Sequence, residues 1–512
     1  MCLRAQPDSI PTGENDVSIA VARGPVVVPR KVQIAILGAG MGGLGMAAKL
    51  RRAGIDSFVI LEKASDVGGT WRDNHYPGSG CDVPSHLYSF SFEPKLDWSR
   101  KFAKQPEIHD YQLQVTKKYG LRPFIHFNTE VTECYFDEAT GLWNLATATG
   151  EKFTANLVVS ALGQLNRPAY PKIEGMENFK GTTFHSARWN HDYDLTGKNV
   201  CVIGNGASAI QFVPEIVDKV KKLTIFQRSA NWVVPKADRP YTDFEQRMFK
   251  NFPFLVKLHR WMIYLGLERN FLAFKQGSLF SKLFEKAGRK ELEKYVADPK
   301  LREILTPDYP AGCKRVLISN DWYPAITKPN CETVISHIEK ITEEGVVTKD
   351  GVTHPADAII YSTGFESTHF LAPMKVTGLN GVDINDAWRD GAEAHRGVAV
   401  SGFPNFFMLY GPNTNLGHNS IIFMLECQIN YILQAVETLK NPKLRWLDVR
   451  PIAEKEFNKE LQHDMQSTVW AAGCSSWYKN EAGKVTNNWS SYTAKYWWQM
   501  RYLDLDEYSF VA

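Results

Sequence analysis

The sequence predicts an α/β protein built from two Rossmann-like domains, with a helical subdomain inserted in the second. Three observations carry this reading. Val32-Gln33-Ile34-Ala35-Ile36-Leu37 leads into Gly38-Ala39-Gly40-Met41-Gly42-Gly43, a helix-forming stretch up to Gly54, and a second apolar run from Ser57 to Leu61 that closes on Glu62. The pattern recurs as Asn199 to Ile203, then Gly204-Asn205-Gly206-Ala207-Ser208-Ala209, a helix through Val213 and Ile216, and Leu223 to Phe226. Between Asp238 and Tyr309, by contrast, Phe, Leu, Lys and Glu recur at helical spacings with few strand signals.

Length and composition agree. At ~150 residues per domain, 512 residues suggest two to four domains. The chain is 44% apolar and 22% charged, which excludes a disordered or fibrous protein. A net charge of +3 gives no footprint for a nucleic-acid partner. Eight Cys are scattered with no Cys-x-x-Cys pair. The expectation is reduced thiols in a cytoplasmic protein, with no zinc ribbon and no disulfide framework. Residues 1–30 mix Asp, Glu, Arg, Gly and Pro and read as a loose extension without a signal peptide. The longest uncharged stretch, near Phe403 to Leu425, is broken by Gly and Pro and does not read as a membrane span.

Each glycine-rich turn follows a strand and opens a helix, which is the context a dinucleotide site requires. Gly38 permits the tight turn, Gly40 lets backbone N–H groups approach a pyrophosphate, and Gly43 lets helix and strand pack closely. Gly204 and Gly206 repeat the first two positions, Ser208 lies in the same turn, and Ala209 fills the third. The strand ends separate the two ligands. Glu62 stands 24 residues after Gly38, and Arg228 stands 24 residues after Gly204. A carboxylate there accepts hydrogen bonds from a ribose 2′-OH, so the first unit fits FAD or NAD. An Arg there forks onto a 2′-phosphate, so the second fits NADP. Two nucleotides on one chain imply electron transfer between them.

The insertion is basic. From Gln246 to Glu303 there are 13 Lys or Arg against 6 Asp or Glu. A solvated helical face is the ordinary reading, and a membrane-surface face the alternative.

Three further motifs resemble one family. Gly69-Thr70-Trp71 with Tyr76-Pro77-Gly78 and Asp82 matches a fingerprint of class B flavoprotein monooxygenases. Phe179, Gly181, His185 and Trp189 reproduce the Phe-x-Gly-x-x-x-His-x-x-x-Trp fingerprint of Baeyer–Villiger monooxygenases, with Asn190 where Pro or Asp is usual. Asp357 with Thr363-Gly364-Phe365 resembles a third element, with Ser362 in place of Ala. The resemblance covers essentially everything after residue 30.

It implies an FAD domain in two parts (31–165 and 396–512, the latter with a C-terminal loop region) and an NADP domain in two parts (166–237 and 312–395). The helical subdomain is then 238–311. It also implies a reaction: NADPH reduces FAD, O2 forms a C4a-peroxyflavin, and a ketone becomes an ester or lactone. Oxygenation of nitrogen or sulfur on the same fold is the alternative. A peripheral membrane flavoprotein that binds NADPH without oxygenating anything is an alternative of another class. The implied catalytic residues are Arg315, a permanent positive charge, and Asp82, which orients it. Lys314 would join Arg228 and Ser229 at the 2′-phosphate. An exposed basic pair is the plain alternative for Lys314-Arg315. Trp71, Tyr88, Val131 and Ile421 would line the flavin, with core packing the alternative for Trp71. Trp477, in Cys474-Ser475-Ser476-Trp477-Tyr478, would close over the nicotinamide. His185 reads as a buried hinge residue, not as an acid or base. No metal is implied. The partners expected are a small ketone and O2, with oligomeric state left open.

Overall fold

Chain direction and sheet order follow from where the apolar runs lie. The computed structural model describes residues 30–471, 473, 478–480 and 482–511. β1 (Lys31–Leu37), α1 (Met41–Arg52) and β2 (Phe58–Leu61) form the first βαβ unit. The central residues of β1 and all of β2 are apolar and almost entirely buried, as expected for parallel strands covered on both faces. There follow α2 (Thr70–Asp73), α3 (Gln105–Lys118), β3 (Ile125–His126), and an antiparallel meander of β4 (Val131–Asp137), β5 (Leu142–Thr147) and β6 (Lys152–Ser160).

The second domain starts at β7 (Thr182–His185) and continues with β8 (Asn199–Ile203), α4 (Ala209–Ile216), β9 (Lys222–Phe226) and β10 (Val233–Val234). The insertion is helical as expected: α5 (Asp243–Asn251), α6 (Pro253–Arg269), α7 (Leu279–Tyr295) and α8 (Pro299–Ile304). A Thr242–Glu245 capping box starts α5, satisfying otherwise orphaned amides. The chain re-enters with β11 (Leu317–Ile318), parallel to β10, then α9 (Trp322–Ile326) and β12 (Cys331–Val334). The hairpins β13 (Ile338–Ile341), β14 (Gly345–Thr348) and β15 (Thr353–Pro355) precede β16 (Ala358–Tyr361). Then come β17 (Lys375–Thr377), α10 (Ile384–Ala387), β18 (Phe406–Met408), α11 (Ile421–Thr438), β19 (Trp446–Val449), α12 (Pro451–Met465), α13 (Thr493–Gln499) and β20 (Tyr508–Val511).

Among the described residues the first sheet has eight strands, ordered β17-β4-β5-β6-β1-β2-β3 with β18 beside β6. The second has five, ordered β12-β9-β8-β16-β7 and parallel throughout. One boundary differs from expectation. The chain is back in the first sheet at Lys375, where β17 pairs with β4, whereas 312–395 had been assigned to the NADP domain. The strand has only three residues, too short for a periodicity signal.

Candidate active site

An open cleft of about 1600 Å³ runs between the two domains. On the first side Gly38, at φ +100°, turns the chain out of β1, and its N–H donates to Leu61 O at 2.9 Å. A Cβ on Gly43 would lie 1.9 Å from Gly38 O, so only hydrogen lets α1 start this close to the strand. Gly40 differs: a Cβ there meets only Gly69 Cα, at 3.7 Å. The protein's own packing does not demand that glycine, and the space it leaves opens on the cleft. Gly206 is similar, with nothing within 4 Å, whereas a Cβ on Gly204 would lie 2.4 Å from Ser362 O. Both turns thus keep an empty cradle in front of a helix start, the geometry a pyrophosphate fits.

Glu62 is buried at the end of β2. Its Oε2 accepts from Ala39 N at 2.7 Å and its Oε1 from Ala64 N at 2.9 Å, with Arg72 3.5 Å away. Those bonds fix the carboxylate at the cleft wall, and a carboxylate has lone pairs left for two ribose hydroxyls. At the matching place in the second domain, Arg228 is exposed and Lys314 Nζ donates to Ser229 Oγ at 2.7 Å. Burial, and then the like charge of Arg228, lower the Lys314 pKa. Neither cation has a salt-bridge partner among the described residues, an arrangement that could hold an anion.

The two domains meet at Tyr76-Pro77-Gly78. Gly78 has φ +77°, and a Cβ on it would lie 2.3 Å from Gln211 O in α4. Tyr76 Oη donates to Gln211 Oε1 at 3.0 Å, and Gln211 Nε2 donates to Gly80 O at 3.0 Å. Just beyond, Arg315 donates to Asp82 Oδ2 at 2.6 Å. Desolvation works against the guanidinium's charge, but Asp82 and Tyr478 outweigh it and hold its pKa above the ordinary value. Lys236 Nζ lies 3.7 Å from Asp82 Oδ1 and donates to Cys81 O at 2.9 Å. Two cations thus share one carboxylate.

Gly38, Gly40, Glu62, Gly69, Thr70, Trp71, Asp82, Tyr88, Val131 and Ile421 line the cleft from the first domain. Gly204, Gly206, Ser208, Arg228, Ser229, Lys314 and Arg315 line it from the second. Trp71 lines the cleft while its indole packs edge-on against Tyr88, its Nε1 donating to Tyr88 Oη at 3.1 Å. Gly43 and Ala209 are packing positions behind the turns. Trp477 lies outside the described residues, as does Cys474. The Baeyer–Villiger fingerprint does not reach the cleft. Trp189 is buried between Phe184 and Phe212, Phe179 is in the core, and a Cβ on Gly181 would lie 2.4 Å from Asp357 O. His185 is fully buried, its Nδ1 accepts from Ala187 N at 3.1 Å, and burial followed by Arg188 pushes its pKa down to about 4.

Sequence reasoning missed several groups here. Lys236 and Gln211 carry no local motif. Gln164, just past the end of β6, donates to Tyr410 O at 3.1 Å while its buried Oε1, at the cleft, has no protein partner. Its position beyond the carboxyl end of a sheet strand was the available signal. Cys313 corrects the thiol expectation: it is disulfide-bonded, to a partner outside the described residues, while Cys81, Cys134, Cys201, Cys331 and Cys427 are free. Spacing rules see local pairs only. No group of three or more His, Cys, Asp or Glu that could hold a metal occurs among the described residues.

Residues 35–248 match the family model of pyridine nucleotide-disulphide oxidoreductases. A Baeyer–Villiger monooxygenase of Pseudomonas aeruginosa is 43% identical over 501 residues, covering 97% of this chain and 95% of that protein. One of Streptomyces coelicolor is 44% identical, covering 94% and 93%. Among solved structures, OTEMO in complex with FAD and NADP superposes with a TM-score of 0.85 at 27% identity, covering 94% of this chain and 99% of that one. The chain is thus an FAD- and NADPH-dependent monooxygenase and belongs to the Baeyer–Villiger monooxygenase family.

Proposed function

We propose that the protein inserts one oxygen atom of O2 beside the carbonyl of a ketone, releasing an ester or lactone, with Arg315 as catalytic residue and Asp82 as its positioning partner. The observation that carries this is the Arg315–Asp82 contact, at the point of the cleft where the two nucleotide-binding sides converge. FAD, when bound, supplies two-electron storage and oxygen activation, with NADPH as hydride source.

The chain's own residues do the remainder. Arg315 is a charge that no pH in the working range removes, held by Asp82 on the wall of the cleft where it can face developing negative charge. Asp82 holds the plane of the guanidinium, and Lys236 flanks the same carboxylate from its other side. Tyr478, lining the same space, has its pKa pushed up to about 12 by burial, so it stays a neutral phenol. Glu62 orients a ribose; Arg228, Ser229 and Lys314 take a 2′-phosphate. His185, neutral above pH ~5, bridges β7 to the domain junction and moves no proton.

The test is turnover of linear, cyclic and aryl ketones with NADPH and isotopically labelled O2, with product identification. Esters or lactones carrying one labelled atom support the proposal. NADPH consumption that yields only hydrogen peroxide, or oxygenated amines and sulfides but no ester, refutes it.

A further inference from the structure

The insertion exposes an apolar face that the reaction does not use. On α6, Phe254, Leu258, Trp261, Met262 and Leu265 are each between 56% and 64% exposed. Their spacings of four, three, one and three residues place them on one stripe of the helix. Together they leave roughly 600 Å² of apolar surface to solvent, at the upper limit of what monomeric proteins carry. The opposite side of α6 is fastened down: Arg260 donates to His86 O and Ser89 O, and Tyr264 stacks on Phe423 of α11. Thr493, at the start of α13, donates to Glu268 Oε2 at 2.7 Å and takes the Tyr264 hydroxyl at 3.0 Å. This joins α13, with Trp498 66% exposed, to the same region.

The border is basic. Lys257 and Arg269 flank the stripe and are exposed, and Arg501 lies 4.6 Å over the Trp498 ring. The single acid of α6, Glu268, is buried beneath Asn419 and Thr493. The +7 balance between Gln246 and Glu303 extends the same sign over the subdomain.

We infer that this face docks the enzyme on an anionic lipid surface, with the α6 stripe and Trp498 seated among headgroups and acyl-chain ends. Tryptophans bordered by Lys and Arg suit that boundary, where the rings enter the interface and the cations stay with phosphates. A second copy is the poorer occupant: an isologous contact would set one basic border against another. No described helix is long and apolar enough to cross a membrane, so the attachment is peripheral.

The test uses the FAD-loaded enzyme and sedimentation with vesicles of phosphatidylcholine alone or mixed with phosphatidylglycerol. The wild type should pellet with the anionic vesicles at about 0.05 M salt and be released at about 0.5 M, where screening is nearly complete. Lys257→Gln and Arg269→Gln should each weaken binding by about fivefold. Leu258→Ser/Trp261→Ser should abolish it while flavin content and NADPH oxidation stay at wild-type levels, which verifies folding. Wild-type enzyme that stays in the supernatant with anionic vesicles overturns the inference. So does a double variant that pellets like wild type, or a solution dimer that the double variant dissociates.

Discussion

Replacing Arg315 with Ala separates the two halves of the proposed reaction. The variant should fold and hold FAD, because Asp82 is not left alone: Lys236 remains 3.7 Å from it, a gross attraction of about 4 kcal/mol at an effective dielectric constant of ~20. Without that second cation, stranding the carboxylate would cost ~3–5 kcal/mol and threaten the fold. With it, the stability loss should be ~1 kcal/mol, the scale of one net hydrogen bond. Oxygenation should suffer far more. Losing one preorganised donor at a site of developing negative charge costs ~2.7–4 kcal/mol, or about 10²–10³ in rate. Arg315→Lys should recover little, since an ammonium cannot reproduce the planar contact with Asp82. The assay is stopped-flow: flavin reduction by NADPH without oxygen, then mixing with O2 and ketone and quantifying ester. Reduction within a few-fold of wild type with ester formation down by about 100-fold or more is the expected result. Ester formed at the wild-type rate by Arg315→Ala would remove Arg315 from catalysis and return Lys314-Arg315 to a basic pair without a chemical task.

Three other outcomes are expected. Arg228→Ala should raise the KM for NADPH by about 10- to 150-fold and leave that for NADH nearly unchanged; equal effects on both cofactors would take Arg228 out of the phosphate site. Gly78→Ala should destabilise by at least ~1–3 kcal/mol in thermal unfolding and slow hydride transfer, because its Cβ would lie 2.3 Å from Gln211 O and its φ is +77°. Asp448, a buried residue of β19, has its pKa raised to about 7 by burial, although Gly402 N donates to it. Between pH ~4 and ~7 the folded state therefore binds a proton the unfolded state does not, so its stability contribution is complete below pH ~4 and falls as pH rises to ~7. Asp448→Asn should raise Tm relative to wild type at pH 8 and make no gain at pH 4; a gain independent of pH would contradict the assignment.

Features that local chemistry dictates were readable in the sequence. Gly43 is required by a contact inside its own βαβ unit, whereas Gly38 and Gly204 back onto Ala161 O and Ser362 O beyond other strands and were legible through the motif alone; the acid and the base at matched strand ends follow from one offset counted twice. The partnership of Arg315 with Asp82 spans 233 residues and has no periodic trace. It came through family motifs, as did Ser229 beside Lys314. Lys236 and Gln211 stayed hidden because each acts by meeting another domain's backbone or carboxylate, which no window of sequence contains. The short strand β17 illustrates a different limit: its place in the first sheet is set by its pairing with β4 and not by its own three residues.

Trp189 has a consequence for how such enzymes are sorted. The last residue of the fingerprint is wedged between Phe184 and Phe212, away from the cleft. It sets the spacing between β7 and α4, a task that bulk and flatness decide. The fingerprint's last residue therefore shapes the second domain's core and touches no reacting group. A relative with Phe in its place should keep the same reaction, and a heteroatom oxygenase given Trp there should not change its own.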